Sequence, residues 1–279
     1  MRAGQSSIVF ARRQVHIRVR CGILLGNHNF GRKVPYMPNE PFVYETELDM
    51  CSVDFTGSWQ PGAVFRAMQE AGDGHCRVLD LTFERLRTLG VAWVLSRAQL
   101  HMDAYPTLGQ RVTVRTWPGK TKHVFFPRYF VFEADGKTLG CASTLFVLMD
   151  LQARRIAPPS RLDVEMPAYD LPAPLPFPGN LRTLSAPAER RAYQPVYTDL
   201  DMNLHVNNTR YVDWFMNQFP VERHRRQMVS ELLVHYNAEV TPDEGLALEV
   251  SQEEDVSILR GLCGDSCCFS VQGRWRSRL

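Results

Sequence analysis

His101-Met102-Asp103-Ala104-Tyr105-Pro106-Thr107 lines up without gaps against His235-Tyr236-Asn237-Ala238-Glu239-Val240-Thr241, an offset of 134 residues from His101 to His235. A second pair, Asp54-Phe55-Thr56-Gly57-Ser58 and Asp201-Met202-Asn203-Leu204-His205, recurs at an offset of 147 from Asp54 to Asp201. Self-similarity at a long period marks a duplicated structural unit. The two offsets differ by 13 residues, about the length of one extra short helix in the first half.

The flanks of both segments repeat the same order. From Val43 the chain opens as a strand; Pro61 then suits a first helical position, followed by Val64, Met68, Ala71, His75 and Val78 at helical spacing. A shorter helix starts behind Thr82 as N-cap and stops at Gly90. Strands are predicted over 91–100, 112–116, 124–133 and, past the Asp135-Gly136 hairpin signal, 137–151. Seven prolines between Pro158 and Pro178 read as an extended linker. Beyond it come a strand over 193–197, a helix over 207–219 and strands over 228–239, 246–253, 257–262 and 267–275.

One long helix followed by consecutive antiparallel strands suggests a sheet curling around its helix. The expected fold is therefore α+β, with tandem units over 41–157 and 185–279 joined by a linker over 158–184. Their sheets would pair edge to edge as an internal pseudo-dimer. The competing arrangement is two independent α+β domains on a flexible tether.

Composition narrows the function. A length of 279 residues with 44% hydrophobic content fills two cores, and a formal charge of +2 gives no reason to expect a nucleic-acid partner. Seven cysteines without paired spacing suit a reducing compartment, and Cys263, Cys267 and Cys268 lack a metal-binding C-x-x-C pattern, so they read as strand hydrophobes. No apolar run reaches the length of a membrane span. Residues 1–36 carry seven basic and no acidic side chains, which fits a targeting tail, a disordered tail or a translation start that truly lies at Met37. That segment is excluded from the expected fold.

The chemistry concentrates between Thr198 and Trp214. If the backbone is extended there, Asp201, Asn203 and His205 share one face, and a carboxylate, an amide and an imidazole converge just before a helix N-terminus. Asp and Asn before a helix also serve as plain caps. A calcium loop would need Gly at Val206 and Glu at Val212, and no G-x-S-x-G elbow supplies a serine nucleophile. No metal or cofactor is expected.

This segment resembles the signature of the acyl-acyl-carrier-protein thioesterases, a double hotdog family of plastids and bacteria. The likeness spans nearly all of 42–275, including Val91-Ala92-Trp93-Val94-Leu95-Ser96-Arg97 and the Tyr105-Pro106 turn leading into Val112-Thr113-Val114-Arg115-Thr116-Trp117-Pro118. It implies two hotdog domains, the first binding the acyl chain near Phe65, Met68 and Trp93, the second catalytic. It also implies that Asp201, Asn203 and His205 act with Glu239 on the next long strand, 34 residues past His205. Asn203 would polarise the thioester carbonyl or hold the attacking group, Asp201 would orient its neighbours, and His205 would carry a proton for Glu239, which activates water or attacks directly. Plant members place a cysteine after that glutamate; here it is Val240, which excludes a thiol at this position. The first half has Thr56, Ser58 and Tyr105 at the matching places, so only the second half is equipped for hydrolysis.

The activity so implied is hydrolysis of fatty acyl-acyl carrier protein, releasing free fatty acid and ending chain elongation. The alternatives are a coenzyme A thioesterase of the same fold and a non-catalytic acyl-binding protein. An acidic carrier would favour a basic surface, with Arg85, Arg87, Arg97, Lys120, Lys122 and Arg128 as candidates. The expected location is a bacterial cytoplasm, ahead of a plastid, with the chain a monomeric pseudo-dimer or a homodimer.

Overall fold

The computed structural model describes residues 40–185 and 189–278, so the basic segment over 1–36 lies outside the described residues. The first half runs β1 (Phe42–Glu47), α1 (Pro61–Val78), α2 (Phe83–Thr88), β2 (Val91–Met102), β3 (Arg111–Pro118), β4 (Phe126–Ala134), β5 (Lys137–Asp150) and a short β6 (Arg155–Ala157). The second half runs β7 (Glu189–Tyr193), α3 (Arg210–Met216), α4 (Val221–Arg226), β8 (Gln227–Tyr236), β9 (Leu246–Glu253), β10 (Val256–Cys263) and β11 (Ser266–Ser277).

All strands join one antiparallel sheet in the order β1-β3-β4-β5-β2-β8-β11-β10-β9-β7, with β6 on β5. The order reads the same from either end once each strand is replaced by its repeat partner. The central seam is β2 against β8, where Arg97 faces His235, Gln99 faces Leu233 and His101 faces Glu231. Shifting every residue by the 134-residue offset converts the Arg97 and His235 pair into the Glu231 and His101 pair, and leaves Gln99 opposite Leu233. A pseudo-twofold axis therefore passes between Gln99 and Leu233, as in the self-complementary interface of a twofold dimer. The tethered-domain arrangement is ruled out by this continuous sheet.

Alternation decides which face each strand buries. Ala98, Leu100 and Met102 of β2, Val112 and Val114 of β3, and Phe130 and Phe132 of β4 turn toward α1; Leu232 and Val234 of β8 and Phe269 and Val271 of β11 turn toward α3. Both helices belong to one continuous core. In α1 the stripe Val64, Met68, Ala71 and His75 is buried as its spacing predicts, whereas Val78 at the last turn is 44% exposed. Thr82 caps α2 by accepting the Arg85 N–H at 3.3 Å.

The second helix is much shorter than the 207–219 expected. Asn207 Oδ1 accepts the Thr209 N–H at 3.0 Å, holding that stretch as a turn, and Pro220 separates Phe219 from α4. Its few turns are compensated by aromatic packing: Tyr211 stacks on Phe269 with centroids 4.2 Å apart, and Phe215 packs beside Phe219 and Trp275. Gly273 of β11 is required here, since a Cβ on it would fall 2.5 Å from the Phe215 ring. Truncating the fully buried Phe215 to Ala would cost about 3–5 kcal/mol. The strand expected at 193–197 ends instead at Tyr193, because Pro195 has no N–H to give a ladder and residues 197–199 turn into a 3-10 helix.

The proline-rich segment is not a free tether. Ser143 Oγ donates to the Pro176 carbonyl at 2.8 Å, Arg97 reaches the carbonyls of Pro178 and Gly179 at 3.3 and 3.2 Å, and the Arg182 N–H donates to Gln272 at 2.7 Å. These contacts strap it across the sheet face opposite α1, from the first half to the second.

Candidate active site

The repeated pentapeptides fold into the same loop. Asp54 Oδ1 accepts the N–H groups of Thr56 and Ser58 at 2.8 and 3.3 Å; Asp201 Oδ1 accepts those of Asn203 and His205 at the same two distances. Asp54 N–H donates to the Ser58 carbonyl and Asp201 N–H to the His205 carbonyl, each at 2.8 Å. Position four takes a left-handed backbone in both, Gly57 at φ 75° and Leu204 at φ 61°. The following residues then meet the other repeat segment, Trp59 N–H on the Pro106 carbonyl at 2.8 Å and Val206 N–H on the Val240 carbonyl at 2.9 Å. Two repeats found separately in sequence thus meet in space, one pair in each half.

This geometry corrects the extended reading of 201–205. The segment is a tight turn in which the Asp201 carboxylate lies under the backbone and holds the N–H groups of Asn203 and His205, so the three side chains do not share a face by alternation. Asn203 is exposed and His205 half-buried. Glu239 is also displaced from its expected place: β8 ends at Tyr236, and Glu239 stands on a corner just beyond the strand. The corner is held on both sides, by Asn237 and Ala238 N–H groups on the Cys268 carbonyl at 2.8 and 3.0 Å, and by Val240, which is fully buried.

The turn and the corner bring His205 Nε2 to 3.7 Å from Glu239 Oε2, an ion-pair distance, longer than a hydrogen bond. A further side chain, which no sequence motif singles out, completes the cluster: Arg154, in the turn between β5 and β6, pairs with Glu239 Oε2. It lies 85 residues away in sequence and belongs to the other half.

The first-half counterpart is chemically closed. Tyr105, which stands where Glu239 does, donates its phenol to the Val229 carbonyl at 2.9 Å, and burial pushes its pKa upward. Ser58 and Thr56, where His205 and Asn203 stand, both accept from Arg278 Nη1 at 2.9 Å, while Arg278 Nη2 faces Asp54 at 3.3 Å. No proton-transfer pair exists there.

Elsewhere two expectations shift. Arg128 is not a surface charge but 6% exposed, donating to His75 Nδ1 at 3.0 Å and Thr116 Oγ1 at 3.3 Å. Desolvation first, and then the Arg128 charge, lower the His75 pKa to about 3. Trp93 leaves the α1 core for a separate cluster under α2, edge-on to Phe126 at 4.8 Å, whereas Phe65 and Met68 remain in the main core. Cys268 is buried, with its sulfur beside that of Cys263 at 2.6 Å, in the strands beneath the Glu239 corner. Among the described residues, no helix is long and apolar enough to cross a membrane.

Comparison with known proteins agrees with this architecture. The model of the acyl-ACP thioesterase N-terminal domain matches residues 41–161, and that of the C-terminal domain matches residues 184–262. The chain is 31% identical to the chloroplastic palmitoyl-acyl carrier protein thioesterase of Arabidopsis thaliana over 163 residues, 55% of this chain and 40% of that protein. It is 28% identical to the chloroplastic dodecanoyl-[acyl-carrier-protein] hydrolase of Cinnamomum camphora over 205 residues, 66% of this chain and 52% of that protein. The chain thus spans about half the length of the curated relatives it matches. Its fold is shared with an acyl-ACP thioesterase from Bacteroides thetaiotaomicron, at a TM-score of 0.76 and 23% identity over 84% of this chain and 97% of that one. The 12:0-ACP thioesterase from Umbellularia californica follows at 0.71 and 23%, over 85% and 97%. Matched by both domain models in order, and built as two helix-and-sheet units about an internal twofold, the chain belongs to the acyl-ACP thioesterase family.

Proposed function

We propose that this chain hydrolyses the thioester of a fatty acyl group carried on acyl carrier protein, releasing the free fatty acid. The observation that carries this reading is the asymmetry between two otherwise matching loops. In one, an imidazole lies 3.7 Å from a carboxylate; in the other, the equivalent places hold a serine bonded to arginine and a phenol locked on a backbone carbonyl. An adjacent imidazole and carboxylate can take a proton from water and return one to a leaving thiolate, which is what thioester hydrolysis needs. In this mechanism Glu239 and His205 handle the protons as water adds to the carbonyl carbon and the carbon–sulfur bond breaks. Asn203 offers its amide to the carbonyl oxygen. Asp201 shapes the turn that presents both, consistent with its two backbone bonds.

The first half, 41–157, receives the acyl chain along α1, with Phe65 and Met68 as its wall, and 185–279 carries the chemistry. A bacterial cytoplasm is the location we assign. The test is release of free fatty acid from a panel of acyl carrier protein and coenzyme A thioesters, resolved by chain length. Turnover of carrier-protein thioesters above their coenzyme A counterparts is expected; the reverse order, or no turnover of either, overturns the reading.

A further inference from the structure

We propose that Arg154 is the positioning residue for Glu239, so that the catalytic site of the second half is completed by the first. This inference rests on the reading of Glu239 as the proton-handling carboxylate. The backbone on either side of Glu239 is anchored, through Ala238 on Cys268 and through buried Val240, but a glutamate still has three side-chain torsions to settle. His205 at 3.7 Å is too far to settle them by a hydrogen bond. Arg154 engages Oε2, and Oε1 meets no donor among the described residues. The guanidinium therefore holds one oxygen beside His205 and leaves the other for the water or substrate.

The turn that presents Arg154 is built for it. Asp150 Oδ1 accepts the N–H groups of Gln152 and Ala153 at 3.0 and 2.8 Å, the Arg154 N–H closes on the Asp150 carbonyl at 2.9 Å, and Arg161 braces Asp150 at 2.6 Å. Arg154 itself sits at φ 51°, a left-handed conformation that glycine or asparagine adopts with less strain.

The pseudo-twofold supplies an independent parallel. Beyond the last strand of the second half, Arg278 crosses to the first-half loop and binds Asp54, Thr56 and Ser58. Each half thus sends an arginine into the loop cluster of the other. In one direction it fills a loop that has no acid–base pair; in the other it orients a carboxylate.

Arg154→Gly separates this role from a structural one, because glycine relieves the backbone while removing the guanidinium. On acyl carrier protein thioesters, kcat is expected to fall by about tenfold to a hundredfold, the scale of a misplaced reacting group, with KM unchanged and the melting temperature unchanged or raised. Arg154→Lys should recover some of the lost kcat. An unchanged kcat overturns the proposal, and so does a raised KM at constant kcat, which would make Arg154 a docking charge for the acidic carrier. A second readout needs no turnover: the Arg154 guanidinium proton resonances of the full chain should exchange slowly with water in the wild type and quickly in Glu239→Gln. Identical exchange in the two proteins refutes the pairing. Absence of hydrolysis in the wild type, with that difference present, would sink the hydrolase reading alone.

Discussion

Leu204 occupies the position that Gly57 holds in the first half, with its N–H on the carbonyl of the loop's aspartate and the same sign of φ; only the Gly57 carbonyl accepts a further bond, from the Leu108 N–H, where the second half has Pro242. Replacing Leu204 by glycine is therefore a controlled test of strain beside the site. A left-handed residue with a Cβ costs about 1–2 kcal/mol. Glycine gives back about 0.4–1 kcal/mol through the larger freedom of the unfolded chain. The leucine side chain is 67% exposed, so little burial is lost. Leu204→Gly should thus stabilise the fold by about 0.5–1 kcal/mol, the difference between the two effects. The assay is urea unfolding at constant m, with the midpoint rising. Turnover should persist, because Asp201 still holds the N–H groups of Asn203 and His205. Gly57→Ala is the mirror control: nothing lies within 4 Å of the added Cβ, so its expected loss of stability is strain alone. A midpoint that falls for Leu204→Gly while also falling for Gly57→Ala would refute the shared-loop argument.

Other expectations follow from the same geometry. Glu239→Gln and His205→Ala should each lower kcat by about 10²–10⁴, and the double variant should lose little more than either, read by fatty-acid release at saturating substrate. Tyr105→Phe removes one hydrogen bond to Val229 and should cost about 1 kcal/mol in denaturant unfolding while hydrolysis continues. His75 titrates at about 3 folded against 6.5 as an ordinary imidazole, so the unfolded chain binds the extra proton first as pH falls. Its contribution is complete above pH 6.5 and is lost progressively from there toward about 3; stability measured across that window should decline less steeply in His75→Gln than in the wild type. Changing Cys263 and Cys268 to Ser, singly, should leave turnover in place, and a folded variant without turnover would reopen a thiol mechanism.

The elements that are legible in the sequence are those whose pattern is periodic and long. The stripe of α1, the Thr82 cap and the strands of both halves other than β7 stand close to where alternation and turn residues put them. The internal repeat even anticipates which backbone groups bond, since Trp59 on Pro106 and Val206 on Val240 are the two offsets meeting. Where polar residues alternate, however, a strand and an Asx-type turn look alike. Asp201, Asn203 and His205 read as extended for that reason, although the match of Leu204 to Gly57 already carries the turn signal. The aromatic spacing that extends the second helix to Phe219 continues through a break, because these side chains fill the core from a turn as well as from a helix. Arg128 shares its strand face with Phe130 and Phe132, so it points at α1 and is buried against His75, and only the finished packing reveals that. Arg154 leaves no local trace: what places it beside Glu239 is the twofold arrangement of the halves.

The axis between Gln99 and Leu233 has a consequence for what substitution can achieve. In an assembly of two identical chains every change is copied, so its two loops would both carry His205 and Glu239 or both carry Ser58 and Tyr105. Joining the halves in one polypeptide lifts that copying rule, and a residue can be altered on one side while its counterpart is kept. The ratio of one imidazole–carboxylate pair to one arginine-filled loop is then written into the covalent chain. Dilution, which would dissociate a pair of unlinked copies, cannot change it.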